Sequence, residues 1–178
     1  FMISTGISDN DYKNLQNILD NFKCKWIVID IANGYIGNIK TFCLKVRNKY
    51  PDKIIVVGNV STRDGVIDLT LHGADIVKCG IGGGSACTTR IQTGIGMPQF
   101  SCILECAEAA KNSGSYILSD GGITCPGDLG KAFGGGADFI MIGGEFAGHD
   151  ENPGDIKLDE NDGLYYKFFY GMSSSYAM

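Results

Sequence analysis

No block of Lys or Arg in this chain is dense enough to neutralise a run of phosphates, and the 178 residues carry a formal net charge of -5. A nucleic-acid partner is therefore not expected. Apolar stretches approaching the roughly 18 residues of a membrane-spanning helix are missing, as is a charged-then-apolar leader, so no membrane partner is expected and the location reads as cytoplasmic. Histidine is scarce, at two. No histidine pair accompanies Cys102 and Cys106, one helical turn apart, and these two thiols read as core packing rather than a metal site. The seven cysteines (Cys24, Cys43, Cys79, Cys87, Cys102, Cys106 and Cys125) are odd in number and scattered through regular elements, which argues against a disulfide framework.

Glycine, by contrast, is abundant at 26 residues, about twice its usual share. It follows no fixed period, which excludes a collagen-like repeat; it collects where apolar runs end. The densest case is Lys78-Cys-Gly-Ile-Gly-Gly-Gly-Ser-Ala-Cys-Thr-Thr-Arg90. Glycines there let the backbone reach positive φ and approach a ligand closely. Cys87 follows, with the hydroxyls of Thr88 and Thr89 and the cation of Arg90 behind it, the composition of a nucleophile with proton-transfer groups at hand. A surface loop holding an unreactive cysteine fits the same residues. A dinucleotide-binding turn fits them less well, because no amphipathic helix period begins until after Pro98.

Elsewhere the pattern alternates. Ser8, with Asp11 three residues on, caps a helix whose Tyr12, Leu15, Ile18, Leu19 and Phe22 share a face. Further helices are predicted with Ile39, Phe42, Cys43 and Val46 inward, over Thr62–His72 (Val66, Ile67, Leu69 and Leu71), after Pro98 (Phe100, Ile103, Leu104, Ala107 and Ala110 inward) and from Pro126. Apolar runs starting near positions 1, 26, 53, 76, 116 and 139 read as strands. Glu151–Gly163 reads as an acidic surface excursion and Leu164–Tyr170 as a further strand-like run. Strands separated by helices predict a parallel sheet. Nearly every strand ends in Gly, Asp, Asn or Ser, and ligand groups gathered from many strand ends favour a (β/α)8 TIM barrel over an open sheet with one switch point. About six strands are present, so residues 1–178 are expected to form an incomplete portion of one barrel domain, begun mid-strand and cut short at both ends.

The loop Gly80–Arg90, followed by Thr93-Gly-Ile-Gly96 and Pro98-Gln99, then Ser119-Asp-Gly-Gly122, Gly143-Gly144, Ala147-Gly148 and Tyr170-Gly-Met-Ser173, resembles the signature of the IMP dehydrogenase/GMP reductase family over essentially the whole chain. Asp30-Ile-Ala-Asn-Gly-Tyr35, Cys125-Pro-Gly-Asp128, Lys131-Ala-Phe-Gly134 and Ala147-Gly-His149 resemble its reductase branch. The dehydrogenase branch, running oxidatively with NAD, and a non-catalytic purine-nucleotide binder are the rival readings.

The resemblance implies NADPH-dependent reductive deamination of GMP to IMP and ammonia in purine metabolism. Cys87 would attack purine C2 to give a covalent thioimidate, and Thr89 would hand a proton to the departing amine. It further implies that Asp120 and Gly121 hold the ribose side of GMP and that Ser85, Gly122, Gly143, Gly144 and Tyr170 hold its phosphate. Gly171, Met172 and Ser173 would line the base. Asp30, Ile31, Ala32, Ile81 and Gly82 would face NADPH, and the carbonyls of Gly82, Gly84, Cys87 and Arg90 would ligate potassium. A homotetramer is the family's habit.

Gly83 departs from the proline common at that place, which is expected to loosen the loop and blunt the cation site. The family's flap and the acidic group that activates the threonine would lie beyond Met178, and its first strands before Phe1. The 178 residues alone are accordingly expected to be inactive, with two uncovered sheet edges prone to association.

Overall fold

The computed structural model describes residues 1–171. Six strands, β1 (Met2–Thr5), β2 (Trp26–Asp30), β3 (Ile54–Val60), β4 (Ile76–Cys79), β5 (Tyr116–Asp120) and β6 (Phe139–Met141), form one sheet in sequential order with every pair parallel. Helices α1 (Asp9–Asn21), α2 (Gly37–Lys49), α3 (Arg63–Leu71), α5 (Gln99–Ser113) and α6 (Pro126–Gly134) carry the chain back between strands. A short helix, α4 (Thr89–Thr93), interrupts the long β4–α5 connection. Among the described residues, no helix is long and apolar enough to cross a membrane.

Period-two alternation splits each strand between two environments. Ile27 and Ile29, Ile55 and Val57, Val77 and Cys79, and Ile117 face the helices and join Leu15, Ile39, Phe42, Val46, Val66, Leu69 and Ile103 in the main core. Val28, Val56, Ile76 and Leu118 face the other way and form a second cluster, with Trp26, Ile54 and Met141 packed against it.

The sheet is strongly curved. Trp26 on β2 and Phe139 on β6 meet edge-on with ring centroids 6.4 Å apart, although four strand spacings would hold them about 19 Å apart in a flat sheet. Phe139 also stands four residues beyond the straight register from Trp26, which runs through Ile54, Ala74, Gly114 and Gly135. Strands tilted by about 36° climb about 14 Å over four spacings, the rise of about four residues, so opposite walls of a shear-8 cylinder would bring these two rings to one height. The six strands are six of the eight of such a barrel, with the second cluster in its interior.

Helix boundaries follow the capping signals. The Ser8 hydroxyl accepts from Asp11 N and the Asp11 carboxylate accepts from Ser8 N, the reciprocal box read from the sequence. Thr62 caps α3, and Gly114 closes α5 in the left-handed region. The buried stripe of α5 is Cys102, Ile103, Cys106, Ala109 and Ala110, while Phe100 and Leu104 are exposed. Of the expected inward face, Ile103 and Ala110 are buried and Ala107 packs against the core, Cys102 and Cys106 are the core thiols that were expected, and only Phe100 and Leu104 turn outward. In α3, Ile67 and Leu71 likewise face outward. The excursion after residue 150 is not plain loop: β7 (Ile156–Leu158) and β8 (Tyr165–Lys167) pair antiparallel as a separate ribbon, so the strand-like run 164–170 is not part of the barrel wall.

Candidate active site

The ends of the six strands surround one cleft of about 930 Å³, within the range of small-molecule sites. Its wall takes in Asp30, Ile31 and Ala32 after β2, Gly80–Cys87 and Thr89 after β4, Asp120–Gly122 after β5, and Gly143 and Gly144 after β6, with Tyr170 and Gly171 closing one side. Residues read as nucleophile, nucleotide cradle and cofactor wall therefore share a single cavity. Met172 and Ser173 lie outside the described residues.

Cys87 is half-buried at this wall, and its thiol donates to Thr89 Oγ1 at 3.3 Å. The helical turn α4 accounts for the closeness of the two groups. Its N-cap is Thr88, and the Cys87 N–H is anchored to Gly84 O at 3.0 Å. The amphipathic-period argument missed α4 because five residues are too few to show a period. Asp120, at the end of β5, presents its carboxylate on the inward face level with Met141.

The loop after β4 is interlocked with its neighbour. Gly80 has φ +138, and a Cβ there would stand 2.1 Å from Asp120 O, so any side chain would separate the two strand ends. Gly121, at φ +96, would press a Cβ to 2.8 Å from Gly83 C. Gly122 N donates to Gly83 O at 2.8 Å. That bond ties down the position where a proline is absent, and it also engages the Gly122 N–H that was expected to meet phosphate. At the end of β6, a Cβ on Gly144 would fall 2.6 Å from Ser85 Oγ, which brings the hydroxyl and the backbone of that turn face to face. Tyr170 stacks at 5.7 Å on Phe168, and Gly171 sits against Ala86 O.

Lys78 is a functional candidate to which the sequence reading gave no role, although it opens the glycine stretch. It points inward from β4 and is only 2% exposed, pairing with Asp30 Oδ1 at 3.0 Å and with Asp120 Oδ2. Asn59 donates from Nδ2 to Gly80 O at 2.8 Å and to Asp120 Oδ2 at 2.9 Å. One ammonium and one amide thus fix two carboxylates contributed by different strands. The signal was present in the sequence: a lysine within a four-residue run that is otherwise apolar, one position out of phase with the residues that face the helices.

Asn59 Oδ1 is buried with no hydrogen-bond partner among the described residues. Its amide cannot be turned round, since both Nδ2 contacts are acceptors. Behind the loop, Gln99 Nε2 donates to Cys79 O and Ser119 Oγ, each at 3.0 Å, and bridges the ends of β4 and β5.

For a cation, Gly82, Gly84, Cys87 and Arg90 offer carbonyl oxygens, the donor type a hard ion takes. Gly84 O already accepts from Cys87 N and Arg90 O from Gly94 N, which leaves each a second lone pair. The Arg90 side chain packs on Gly82 and Gly96 and donates to Met97 O at 2.6 Å.

Residues 2–178 match the model of the IMP dehydrogenase / GMP reductase domain. The chain is 53% identical to a GMP reductase of Klebsiella pneumoniae over 178 residues, covering 99% of this chain and 51% of that protein. It is 52% identical to a GMP reductase of Caenorhabditis elegans, covering 99% and 49% respectively. The chain spans about half the length of these relatives. A crystal structure of a cysteine-to-alanine variant of GMP reductase from Trypanosoma brucei, in complex with guanosine 5'-monophosphate, superposes with a TM-score of 0.92 at 31% identity, covering 98% of this chain and 36% of that one.

Proposed function

The chain belongs to the IMP dehydrogenase/GMP reductase family, and from that premise we propose that it is the nucleotide-binding part of the barrel of a GMP reductase. The observation that carries the reading is the Cys87 thiol, 3.3 Å from the Thr89 hydroxyl, on the wall of a cleft ringed by the Lys78 ion pairs and by Ser85 against Gly144.

In this reading GMP lies across the strand ends. Ser85 Oγ and the backbone at Gly143 and Gly144 receive the phosphate. The Asp120 carboxylate accepts from the ribose hydroxyls through the lone pairs that Lys78 and Asn59 leave open. Cys87, as thiolate, adds to purine C2, and the bond from C2 to the exocyclic nitrogen then breaks. Thr89 is placed to pass a proton to the leaving nitrogen, so that ammonia departs and a thioimidate remains on Cys87. NADPH, when bound, supplies a hydride to C2, and release of the sulfur gives IMP. Asp30, Ile31, Ala32, Ile81 and Gly82 form the wall beside which the reduced ring would lie. Potassium, held by the four loop carbonyls, would fix the curvature that presents Cys87. A homotetramer is proposed by analogy with the family alone.

The test is to supply GMP and NADPH to the protein that carries this chain and to follow NADPH consumption, IMP and ammonia together. One-to-one formation of IMP and ammonia, lost by at least about 10³-fold in Cys87→Ser, is the expected outcome. Reduction of NAD by IMP without deamination of GMP would make it a dehydrogenase. GMP binding without either turnover would make it a binding protein.

A further inference from the structure

Three of the buried cysteines converge at a place the nucleotide chemistry does not use. Cys79 is the last residue of β4 and faces the helices; Cys102 and Cys106 face it from successive turns of α5. The three Sγ atoms lie within 4.8 Å of one another, with Cys102 and Cys106 at 3.9 Å, and all three residues are 0% exposed. The sequence pairs only Cys102 with Cys106; the third sulfur arrives from a strand 23 positions earlier in the chain than Cys102, which helix periodicity cannot reveal.

We propose that this trio is a binding site for a trivalent thiophilic metalloid, with arsenite as the representative ligand. Sulfur selects soft ions, and charge decides among them. Three thiolates around a monovalent or divalent ion leave net negative charge in a dry site, where unbalanced charge is strongly disfavoured. The charged side chain felt by both Cys102 and Cys106 is Glu105, itself an anion. Structural zinc in addition takes four ligands, and the cluster supplies three.

A trivalent centre balances the charge and needs no fourth ligand. Three S–H and three As–O bonds break, three As–S and three O–H bonds form, three waters leave, and arsenic keeps its oxidation state. With bonds near the zinc–sulfur length of about 2.3 Å, a three-coordinate centre places its sulfurs about 3.5–4 Å apart. The trio need contract by no more than about 1.3 Å to meet that spacing. Entry requires local opening of α5 from the sheet, so uptake should be slower than reaction at the less buried Cys87 and Cys125.

The experiment incubates the folded protein with arsenite, removes excess reagent and reads the intact mass. The expected adduct adds one arsenic and loses three hydrogens. X-ray absorption at the arsenic edge should count three sulfurs. Cys79→Ala and Cys102→Ala should each weaken retention at least about 100-fold, while Cys43→Ala and Cys87→Ser should leave it unchanged. An adduct that keeps a hydroxyl, no adduct on the folded protein, or full retention in Cys79→Ala overturns the proposal, as does displacement of arsenite by equimolar Zn(II). Should an alanine variant fail to fold, the sulfur count on the unsubstituted protein decides alone: three sustains the site and two removes it.

Discussion

Replacing Lys78 by methionine keeps a chain of similar length but removes the one charge that, among the described residues, bridges Asp30 and Asp120. Both carboxylates touch the same ammonium, so they lie no more than about 6 Å apart, and two anions at that separation repel by about 3 kcal/mol at an effective dielectric of 20. An independent route gives a similar figure. Breaking a buried pair costs about 3–5 kcal/mol, and the low end applies because the Asp30 and Asp120 side chains retain 39% and 25% of their exposure against 3% for Lys78. Urea unfolding should therefore show a loss of about 3 kcal/mol, a midpoint lower by about 1–3 M. Adding Asp30→Asn to Lys78→Met should return at least about 1 kcal/mol, because the repulsion disappears with the second anion. A Lys78→Met protein within about 1 kcal/mol of the parent, or a double variant weaker than the single one, would refute the claim that this lysine is the electrostatic keystone of the cleft.

Gly80→Ala should destabilise by about 3 kcal/mol or more, from backbone strain together with a Cβ driven against Asp120 O, and should weaken GMP binding at least tenfold by calorimetry. Gln99→Leu strands Ser119 Oγ and the Cys79 carbonyl without their donor, a loss of about 1–3 kcal/mol in thermal or urea unfolding. Burial pushes the Cys43 thiol up from 9.0 to about 12. Because the folded state holds this proton more tightly than the unfolded chain, the associated stability is complete below pH 9 and is lost as pH rises toward 12. The loss is about 1.4 kcal/mol by pH 10. Cys43→Ala should flatten that slope when urea midpoints at pH 8 and pH 10 are compared, and an unchanged slope would remove Cys43 as its source.

How far the sequence carries can be seen residue by residue. Strand positions, the Ser8 capping box and the close of α5 at Gly114 were legible because each depends on local chemistry and short periods. Cys87 beside Thr89 was legible because the groups are two residues apart. Lys78 between Asp30 and Asp120 was not, since the pairing is made by barrel curvature that brings three strands' inward faces together. The same holds for the Cys79 sulfur against α5, for the orphan amide oxygen of Asn59 and for the Gln99 bridge. The inward face of α5 was legible in part: Cys102, Cys106, Ile103 and Ala110 lie in the core as expected, whereas Phe100 and Leu104, also read as inward, are exposed. Of the ribbon, β8 falls within the strand-like run read over 164–170, while β7 was missed because three residues in an acidic, turn-rich segment carry too little alternation to register.

The central claim is that the Cys87 sulfur faces the site where a purine nucleotide binds. Carboxamidomethylation of the folded protein, mapped thiol by thiol with and without GMP, tests it directly. Saturating GMP should slow modification of Cys87 at least tenfold and leave the exposed Cys125 unaffected. Cys87 modified at the same rate in both conditions, or Cys125 protected to the same degree, would contradict it.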